Sequence, residues 1–411
     1  MTTFAGLVIG LLTTPVVSGT SADAHLSKVK ALLDSGQEPV RIVCFGDSIT
    51  GVYYHTGGRR AWCDMLGIAL QRIYPKAKLE MINAGLSGHS TVNALSRIKK
   101  DVLDRKPHLV VVMFGMNDVV RVPRPTFCEN LRSIVRQCRD AGAEVVLCTP
   151  NAIYPEDPGR PVDRLASYAA AVRDVGVELA VPVVDCHAAY EGVKTKDPIA
   201  WMVMMSDAIH PAMTGHKRFA EEITRVISGR RISLADVGPP RPAIPHLLDR
   251  LTHKKVIKLI AMEPYDTIVP RALVELDAAA RVYVHRWPTQ GKSVGELEAW
   301  AKGIRDGQPD LVLVAIPPEM TAEPQEPFIR SYHGILNWCL SFDVAQWDTV
   351  VVLPSVTRPP AASPPSATER LIRDITLGHD LHLIERRTGD NAPPERILLE
   401  WLKAEAASAR P

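Results

Sequence analysis

The sequence predicts an α/β protein with two doubly wound parallel sheets, because short apolar runs alternate with amphipathic stretches from residue 40 onward. The apolar runs predict buried strands in the first half at residues 40–45, 79–83, 109–114, 145–148 and 181–184. Helical spacing predicts helices at residues 61–73, 92–103, 127–141, 165–179 and 212–227. Ligands of such sheets bind beyond the carboxyl ends of the strands, so we expect the functional residues there.

A length of 411 residues favours two domains, and a proline-rich segment marks their boundary. Residues 238–245 contain four prolines, which fix φ and remove hydrogen-bond donors, so we predict a semi-rigid linker. Strand-like runs resume at 256–261, 281–285, 311–316, 349–353 and 382–384. We therefore expect an N-terminal extension or signal segment at 1–37, a first domain at 38–237 and a second α/β domain at 246–411.

The two halves resemble each other in sequence. A gapless offset of 202 lays residues 79–112 over 281–314 and pairs Asp104 with Asp306 and Pro107 with Pro309. Coincident apolar positions are expected from any two strand-helix-strand segments, whereas an Asp-x-x-Pro before the third strand is harder to obtain that way. Duplication is therefore favoured over convergent patterning.

Composition excludes several classes of protein. Forty-eight Lys and Arg against 46 Asp and Glu leave a net charge of +2, so no overall field favours nucleic acid. Seven cysteines without a CxxC pair predict neither a disulfide framework nor a structural zinc, and two of them lie in apolar runs that suit a reducing compartment. We expect no membrane span, metal or cofactor.

The N-terminal residues indicate export, whereas the cysteines suit a reducing compartment. Residues 4–12 are apolar and lead to Ala22-Asp23-Ala24, which imitates a signal-peptide cleavage site, but residues 1–3 lack the usual Lys or Arg. The cytoplasm is favoured, and export through an atypical signal is the alternative.

Four polar clusters lie at the ends of predicted strands or before the last helix of the first half. They are Gly46-Asp47-Ser48, Asn83 to Gly88, Gly115-Met116-Asn117-Asp118 and Asp207-Ala208-Ile209-His210. A serine hydroxyl needs a base to take its proton and a carboxylate to orient that base, and Ser48, His210 and Asp207 supply one of each. An oxyanion needs donors, available in the backbone N–H of Ser48 and Gly88 and the amide of Asn117.

These clusters resemble the four blocks of the GDSL, or SGNH, hydrolases over residues 40–227. The resemblance implies a flavodoxin-like three-layer fold and metal-free hydrolysis of acyl esters. It also implies Ser48 as nucleophile, His210 as base and then acid, Asp207 as its orienting carboxylate, and an oxyanion hole of Ser48, Gly88 and Asn117. Family members include carbohydrate acetylesterases, lipases, thioesterases and lysophospholipases, and fold alone does not choose among them.

Five further residues near these clusters are candidates for substrate binding. They are Asp47, Tyr53, Arg59, Arg60 and His89. The arginines could hold an anionic group or be solvated, and Tyr53 could stack on a sugar or pack under its loop. We expect the other histidines of this half, among them His55 and His216, at the surface or at helix starts.

The second half lacks the catalytic set. If the repeat holds, Pro264 takes the place of Ser48, Gln290 that of Gly88 and Glu319 that of Asn117. We therefore expect a degenerate repeat without an esterase site.

The sequence thus predicts a serine esterase acting on a small acyl group, in the first place an O-acetyl of a carbohydrate. The alternatives are a non-catalytic carbohydrate-binding protein built from two such domains and an acyltransferase that uses the same serine.

Overall fold

A computed structural model describes residues 26–358 and 365–408. Most of the expected N-terminal extension, including the signal-like residues 4–24, lies outside the described residues. No helix in the described part of the chain is both long and apolar enough to cross a membrane.

The first half contains a five-stranded parallel sheet with the order β2-β1-β3-β4-β5. Its strands are β1 (Pro39–Gly46), β2 (Lys78–Gly85), β3 (Leu109–Met113), β4 (Glu144–Cys148) and β5 (Val183–Val184). All residues of β3 are buried because helices cover both faces, which explains its uninterrupted apolar run. The predicted strands of this half are confirmed, with shifts at their ends.

The helices of the first half include all five that were predicted and four that were not. They are α1 (Ser27–Ser35), α2 (Trp62–Ile73), α3 (Thr91–Asp101), α4 (Asp118–Arg121), α5 (Arg124–Asp140), α6 (Val162–Glu178), α7 (Cys186–Lys196), α8 (Pro198–Met204) and α9 (Met213–Ser228). Helix α1 lies within the expected extension, yet it buries Val29 and Leu33 in the core. Glu144 accepts hydrogen bonds from the backbone N–H of Lys28 and Val29 at its first turn, so this end of the extension is part of the fold.

The second half contains a second five-stranded parallel sheet. Its strands are β6 (Val256–Met262), β7 (Arg281–Trp287), β8 (Leu311–Val314), β9 (Asp348–Val352) and β10 (His382–Ile384). Its helices are α10 (Pro245–Thr252), α11 (Tyr265–Leu276), α12 (Val294–Ala301), α13 (Ile304–Gly307), α14 (Gln325–Trp338), α15 (Pro354–Thr357), α16 (Ala367–Gly378) and α17 (Pro394–Ser408). The strand order β10-β9-β8-β6-β7 is that of the first sheet, read from the opposite edge. The prediction of two parallel-sheet α/β regions is therefore confirmed.

Local backbone structure also recurs at the offset of 202. Lys106 and Gln308, which this offset pairs, are both left-handed, with φ of 51° and 42°. Two residues later, the N–H of His108 donates to the carbonyl of Arg41, and that of Asp310 donates to the carbonyl of Lys258. The chain thus enters the third strand of each sheet in the same way.

Candidate active site

Ser48 lies in a tight turn directly beyond the carboxyl end of β1. The carbonyl of Asp47 accepts hydrogen bonds from the N–H of Thr50 and Gly51, at 3.1 and 3.0 Å. Glycine is required at position 46, because a Cβ there would lie 2.0 Å from Thr50 Oγ1 and 2.7 Å from the carbonyl of Met113. The turn therefore ends the strand abruptly and leaves the Ser48 side chain at the edge of the sheet.

Asp207 and His210 are presented by one compact turn between α8 and α9. The N–H of Ser206 donates to the carbonyl of His210 at 2.8 Å. Asp207 Oδ1 accepts from the N–H of Ile209 at 2.9 Å and of His210 at 2.8 Å. The spacing of three residues therefore allows one turn to direct both side chains the same way.

A continuous chain of hydrogen bonds links the three predicted residues. Ser48 Oγ lies 2.9 Å from His210 Nε2. On the other side of the ring, His210 Nδ1 lies 2.8 Å from Asp207 Oδ2 and 3.0 Å from Oδ1. This is the geometry in which an imidazole can take a proton from a hydroxyl while a carboxylate stabilises the resulting cation.

The environment of this pair favours a charged carboxylate and a basic imidazole. Burial alone would raise the pKa of Asp207, but the charge and hydrogen bonds of His210 outweigh burial and hold that pKa below its ordinary value of 3.8. Burial would lower the pKa of His210, but the Asp207 carboxylate raises it above its ordinary value of 6.5. Asp207 therefore stays negatively charged, and His210 is the group of the pair that accepts and releases a proton.

Tyr54 and His55 complete the surroundings of this pair, and no hydrogen bond or ring contact to the pair was predicted for either. The Tyr54 hydroxyl donates to Asp207 Oδ2 at 3.0 Å. His55 is buried, its Nε2 lies 3.1 Å from the carbonyl of Ser48, and its ring stacks on His210 at 4.7 Å with an interplanar angle of 6°. Burial, followed by the charges of His210 and His216, lowers the pKa of His55 well below its usual value, so this ring is neutral.

The expectation of surface or helix-start histidines is therefore wrong for His55. His216 does lie in the first turn of α9, but it is buried and its Nδ1 accepts from the N–H of Trp62 at 3.0 Å. No pattern in the sequence distinguishes a stacked histidine from an exposed one, because stacking depends on a partner 155 positions away, as for His55 and His210.

The three predicted oxyanion donors lie on loops that touch one another. Gly88 is left-handed with φ of 74°, and its carbonyl accepts from Arg121 at 2.7 Å. Asn117 Nδ2 donates to the carbonyl of His89 at 3.0 Å and lies 3.4 Å from Asp47 Oδ2. Within the described part of the chain, the backbone N–H groups of Ser48 and Gly88 donate to no protein acceptor. Both are therefore available to a bound oxyanion.

Of the substrate-binding candidates, Tyr53 and His89 lie beside the site, whereas Asp47 is buried beneath it. The Tyr53 hydroxyl accepts from the N–H of Ser87 at 2.8 Å, next to Gly88. Asp47 is 1% exposed and accepts from the N–H of Ile49, and burial raises its pKa to about 7. The interpretation of Asp47 as a substrate contact is therefore wrong, because its carboxyl is buried and its oxygens are next to Ile49 and Asn117.

Arg59 and Arg60 do not bind substrate either, because their guanidinium groups are taken up by the second half and the segment before it. Arg59 donates to the carbonyls of Pro240 and Pro242 at 2.8 and 3.0 Å. Arg60 donates to both oxygens of the buried Asp380 at 2.9 and 2.7 Å. Arg60 therefore ties the first half to the second and Arg59 ties it to the linker, roles that require partners more than 170 residues away.

The cysteines are unpaired, and the described residues hold no group of metal ligands. All seven cysteines lie in the described ranges as free thiols. Among residues 26–358 and 365–408, no three His, Cys, Asp or Glu side chains are grouped so that they could hold a metal ion.

Comparison with known proteins shows the family. The family described as GDSL-like Lipase/Acylhydrolase matches residues 44–218. An acetylxylan esterase of Geobacillus stearothermophilus is 30% identical over 174 residues, which are 38% of this chain and 76% of that protein. The chain belongs to the GDSL-like lipase/acylhydrolase family. The resemblance seen in the sequence is thereby confirmed, and this GDSL hydrolase is a carboxylic ester hydrolase.

Further relatives of this GDSL hydrolase include esterases of other organisms. An isoamyl acetate-hydrolyzing esterase of Saccharomyces cerevisiae is 24% identical over 208 residues, 46% of this chain and 85% of that protein. The crystal structure of the Geobacillus acetylxylan esterase has 27% sequence identity and a TM-score of 0.40, and the match covers 46% of this chain and 94% of that one. The matched segment of the GDSL hydrolase contains Ser48, Gly88, Asn117, Asp207 and His210.

Proposed function

We propose that this GDSL hydrolase is a serine esterase that removes small acyl groups, in the first place O-acetyl groups of carbohydrates. Ser48 is the nucleophile, His210 the general base and then acid, and Asp207 the carboxylate that orients it. The observation that carries the proposal is the hydrogen-bond chain from Ser48 Oγ through His210 to Asp207, with contacts of 2.9 and 2.8 Å.

The reaction runs through an acyl-enzyme. Ser48 Oγ attacks the ester carbonyl carbon while its proton passes to His210 Nε2, and the oxyanion forms opposite the N–H groups of Ser48 and Gly88. His210 then gives the proton to the leaving alcohol oxygen as the C–O bond breaks. Water attacks the acyl group after losing a proton to Nε2, and the carboxylic acid leaves as Ser48 recovers its hydrogen.

Activity is expected to rise with pH, because only neutral His210 can accept the serine proton. Since the pKa of His210 lies above 6.5, the half-maximal point of kcat is expected above pH 6.5. Initial rates on p-nitrophenyl acetate, corrected for spontaneous hydrolysis, would measure this profile. A kcat that falls as pH rises from 6 to 9 would contradict the assignment of His210 as base.

Asn117→Ala is expected to lower kcat about 10² to 10³-fold with little change in KM, because an oxyanion donor acts mainly in the transition state. Its contact with Asp47 Oδ2 is long, at 3.4 Å, which leaves one N–H hydrogen for the oxyanion. Asn117→Asp, which has the same shape without the donor, should lose at least as much. A change in KM alone would assign Asn117 to substrate binding instead.

An aromatic surface formed by Tyr53 and Phe342, beside the loop that carries Gly88, supports the preference for carbohydrate esters. Phe342, from the second half, is 53% exposed, and its ring centroid lies 5.7 Å from that of Tyr53 in an edge-to-face arrangement. Exposed aromatic rings of this kind bind the apolar faces of other molecules. The name of the Geobacillus relative, an acetylxylan esterase, supports the same substrate class.

Phe342→Ala is expected to lower kcat/KM for acetylated xylooligosaccharides about three- to tenfold and to leave that for p-nitrophenyl acetate nearly unchanged. Val344→Ala is the matched control, since Val344 is 64% exposed on the same loop. Equal losses on both esters would remove the support for a sugar-binding surface. The same panel, extended to p-nitrophenyl esters of rising chain length, would reveal a lipase if longer acyl chains react faster.

The two halves differ in function, because only the first contains the proposed catalytic residues. We infer that residues 38–237 form the catalytic domain, 238–245 the linker and 246–411 a degenerate, non-catalytic repeat. The shared strand order and the left-handed pair Lys106 and Gln308 support duplication. Ile42 pairs with Leu109 in the first sheet and Leu259 with Leu311 in the second, so β1 and β6 are equivalent at an offset of 217, and Tyr265 rather than the expected Pro264 is equivalent to Ser48. Tyr265, Gln290 and Glu319 at the positions equivalent to Ser48, Gly88 and Asn117 support the loss of chemistry.

A further inference from the structure

The turn that carries Asp207 and His210 is held from behind by helix α14 of the second half. Ser206 Oγ donates to Asn337 Oδ1 at 2.8 Å, and Asn337 Nδ2 donates to the carbonyl of Ser206 at 2.9 Å. Both residues are buried, at 1% and 8% exposure. A reciprocal, buried pair of this kind is costly to break, because each partner would leave an unsatisfied polar group. It fixes the backbone one residue before Asp207.

A second contact reaches the Asp207 side chain itself. The Arg305 guanidinium lies over the ring of Tyr54, 5.0 Å from its centroid, and the Tyr54 hydroxyl donates to Asp207 Oδ2. A cation over the ring withdraws electron density and strengthens the hydroxyl as a donor. Burial and the charge of Asp207 raise the pKa of Tyr54, so this hydroxyl keeps its proton.

Arg305 is itself held in place by the end of α14. Its Nε donates to the carbonyl of Leu340 at 2.8 Å, and one Nη donates to the carbonyl of Asn337 at 2.7 Å. The carbonyl of Asn337 lies in the last turn of the helix, and that of Leu340 lies just beyond its end. Helix α14 therefore orients both contacts to the Asp207 turn.

We propose that Arg305 and Asn337 are positioning residues that hold the Asp207 carboxylate against His210, Arg305 through Tyr54 and Asn337 through Ser206. The second half is then not a passive cover, because it completes the alignment of the acid-base pair in the first half. This inference rests on the proposed function of that pair.

The charged groups around His210 determine how a substitution of Tyr54 or Arg305 changes the pKa of His210. The ionisable groups whose charges act on His210 are Asp207, Asp47, Arg160, His55 and His216, and Tyr54 and Arg305 lie behind Asp207. The Tyr54 hydroxyl spreads the negative charge of Asp207, and Arg305 adds a positive charge nearby. Loss of either leaves Asp207 beside His210, because Oδ1 is still held by the N–H groups of Ile209 and His210, but its charge is shared less and Oδ2 is less well aligned. Protonated His210 is then stabilised more, so the pH midpoint of kcat should move upward while kcat falls.

Arg305→Met is expected to lower kcat on p-nitrophenyl acetate about tenfold, with KM unchanged and the pH midpoint raised by about half a unit. Arg305→Lys, which keeps the charge but not the planar fork, should restore the midpoint and part of kcat. Arg330→Met is the matched control: Arg330 lies on α14, 4.1 Å over the ring of Tyr154, and together with Arg305 it lines a cavity of about 310 Å³. Because Tyr154 does not hydrogen-bond to Asp207, this control should keep the wild-type pH profile.

Tyr54→Phe provides a second route if Arg305→Met fails to fold. It removes one oxygen, and it should lower kcat about tenfold and raise the pH midpoint in the same direction. The double variant of Tyr54 and Arg305 should lose little more than Tyr54→Phe alone, since Arg305 acts through Tyr54.

Wild-type kcat and pH midpoint in both Arg305→Met and Tyr54→Phe would overturn the inference, as would an equal midpoint shift in Arg330→Met. Failure of the proposed function looks different, because Ser48→Ala would then retain turnover whatever the Arg305 variants do. Thermal melting of each variant separates loss of alignment from loss of the fold.

Discussion

Ser48→Ala is expected to lower kcat on p-nitrophenyl acetate by about 10⁴-fold or more, because the acyl-enzyme cannot form without the Oγ atom. KM should change little, since the Oγ atom acts on the ester mainly in the transition state. Steady-state rates at a pH above the His210 midpoint would measure the loss. This variant also separates a catalyst from a non-catalytic carbohydrate-binding protein, which would show no turnover to lose.

Labelling with a fluorophosphonate is the direct companion to that experiment. One equivalent should attach to the peptide that contains Ser48, and the Ser48→Ala variant should remain unlabelled. Ser87→Ala serves as the control, because Ser87 is an exposed serine next to Gly88 whose hydrogen bond to Tyr53 is donated by its backbone N–H, which the variant keeps. Stoichiometric labelling of another serine would show that the nucleophile has been misassigned. Preferential acyl transfer to an added sugar would identify an acyltransferase.

Asp207→Asn is expected to lower kcat by about 10³ to 10⁴-fold while KM stays nearly constant. The amide keeps the shape of the carboxylate, but it can donate to His210 Nδ1 and leave the proton on Nε2, the atom that must accept from Ser48. Without the carboxylate, burial is the dominant influence on His210, so its pKa should fall and the midpoint of the residual activity should move below pH 6.5.

The direction of that shift makes the experiment decisive. An upward shift, or a kcat within about threefold of wild type, would contradict Asp207 as the partner of His210. EDTA should leave the wild-type rate unchanged. Strong inhibition that zinc reverses would instead assign Asp207 and His210 as metal ligands.

Much of the site could be predicted from the sequence, because its residues follow strands. Buried parallel strands consist of short apolar runs, and their carboxyl ends meet at one edge of the sheet, so the polar residues after β1, β2 and β3 had to approach each other. The Asp207 and His210 pair could be anticipated for a local reason, since three residues form one turn. These features depend on spacing along the chain, which a sequence displays directly.

The substrate-binding candidates were predicted from their proximity to Ser48 in the sequence, and for Arg59 and Arg60 that prediction was wrong. Arg59 and Arg60 follow Ser48 closely, yet they donate to Pro240, Pro242 and Asp380. A basic pair looks the same whether it is solvated, binds an anion or pairs with a distant part of the chain. Which of these occurs depends on what the second half brings opposite the arginines.

The sequence by itself determined the two α/β regions and the residues proposed to carry ester hydrolysis, because apolar period and strand-end position are local properties. The tertiary structure alone decided that His55 stacks on His210, that Tyr54 donates to Asp207 and that Arg305 and Asn337 reach that site from the second half. The physical reason is distance along the chain: Asn337 lies 131 residues from Ser206, and only the packing of the two halves makes them hydrogen-bond partners.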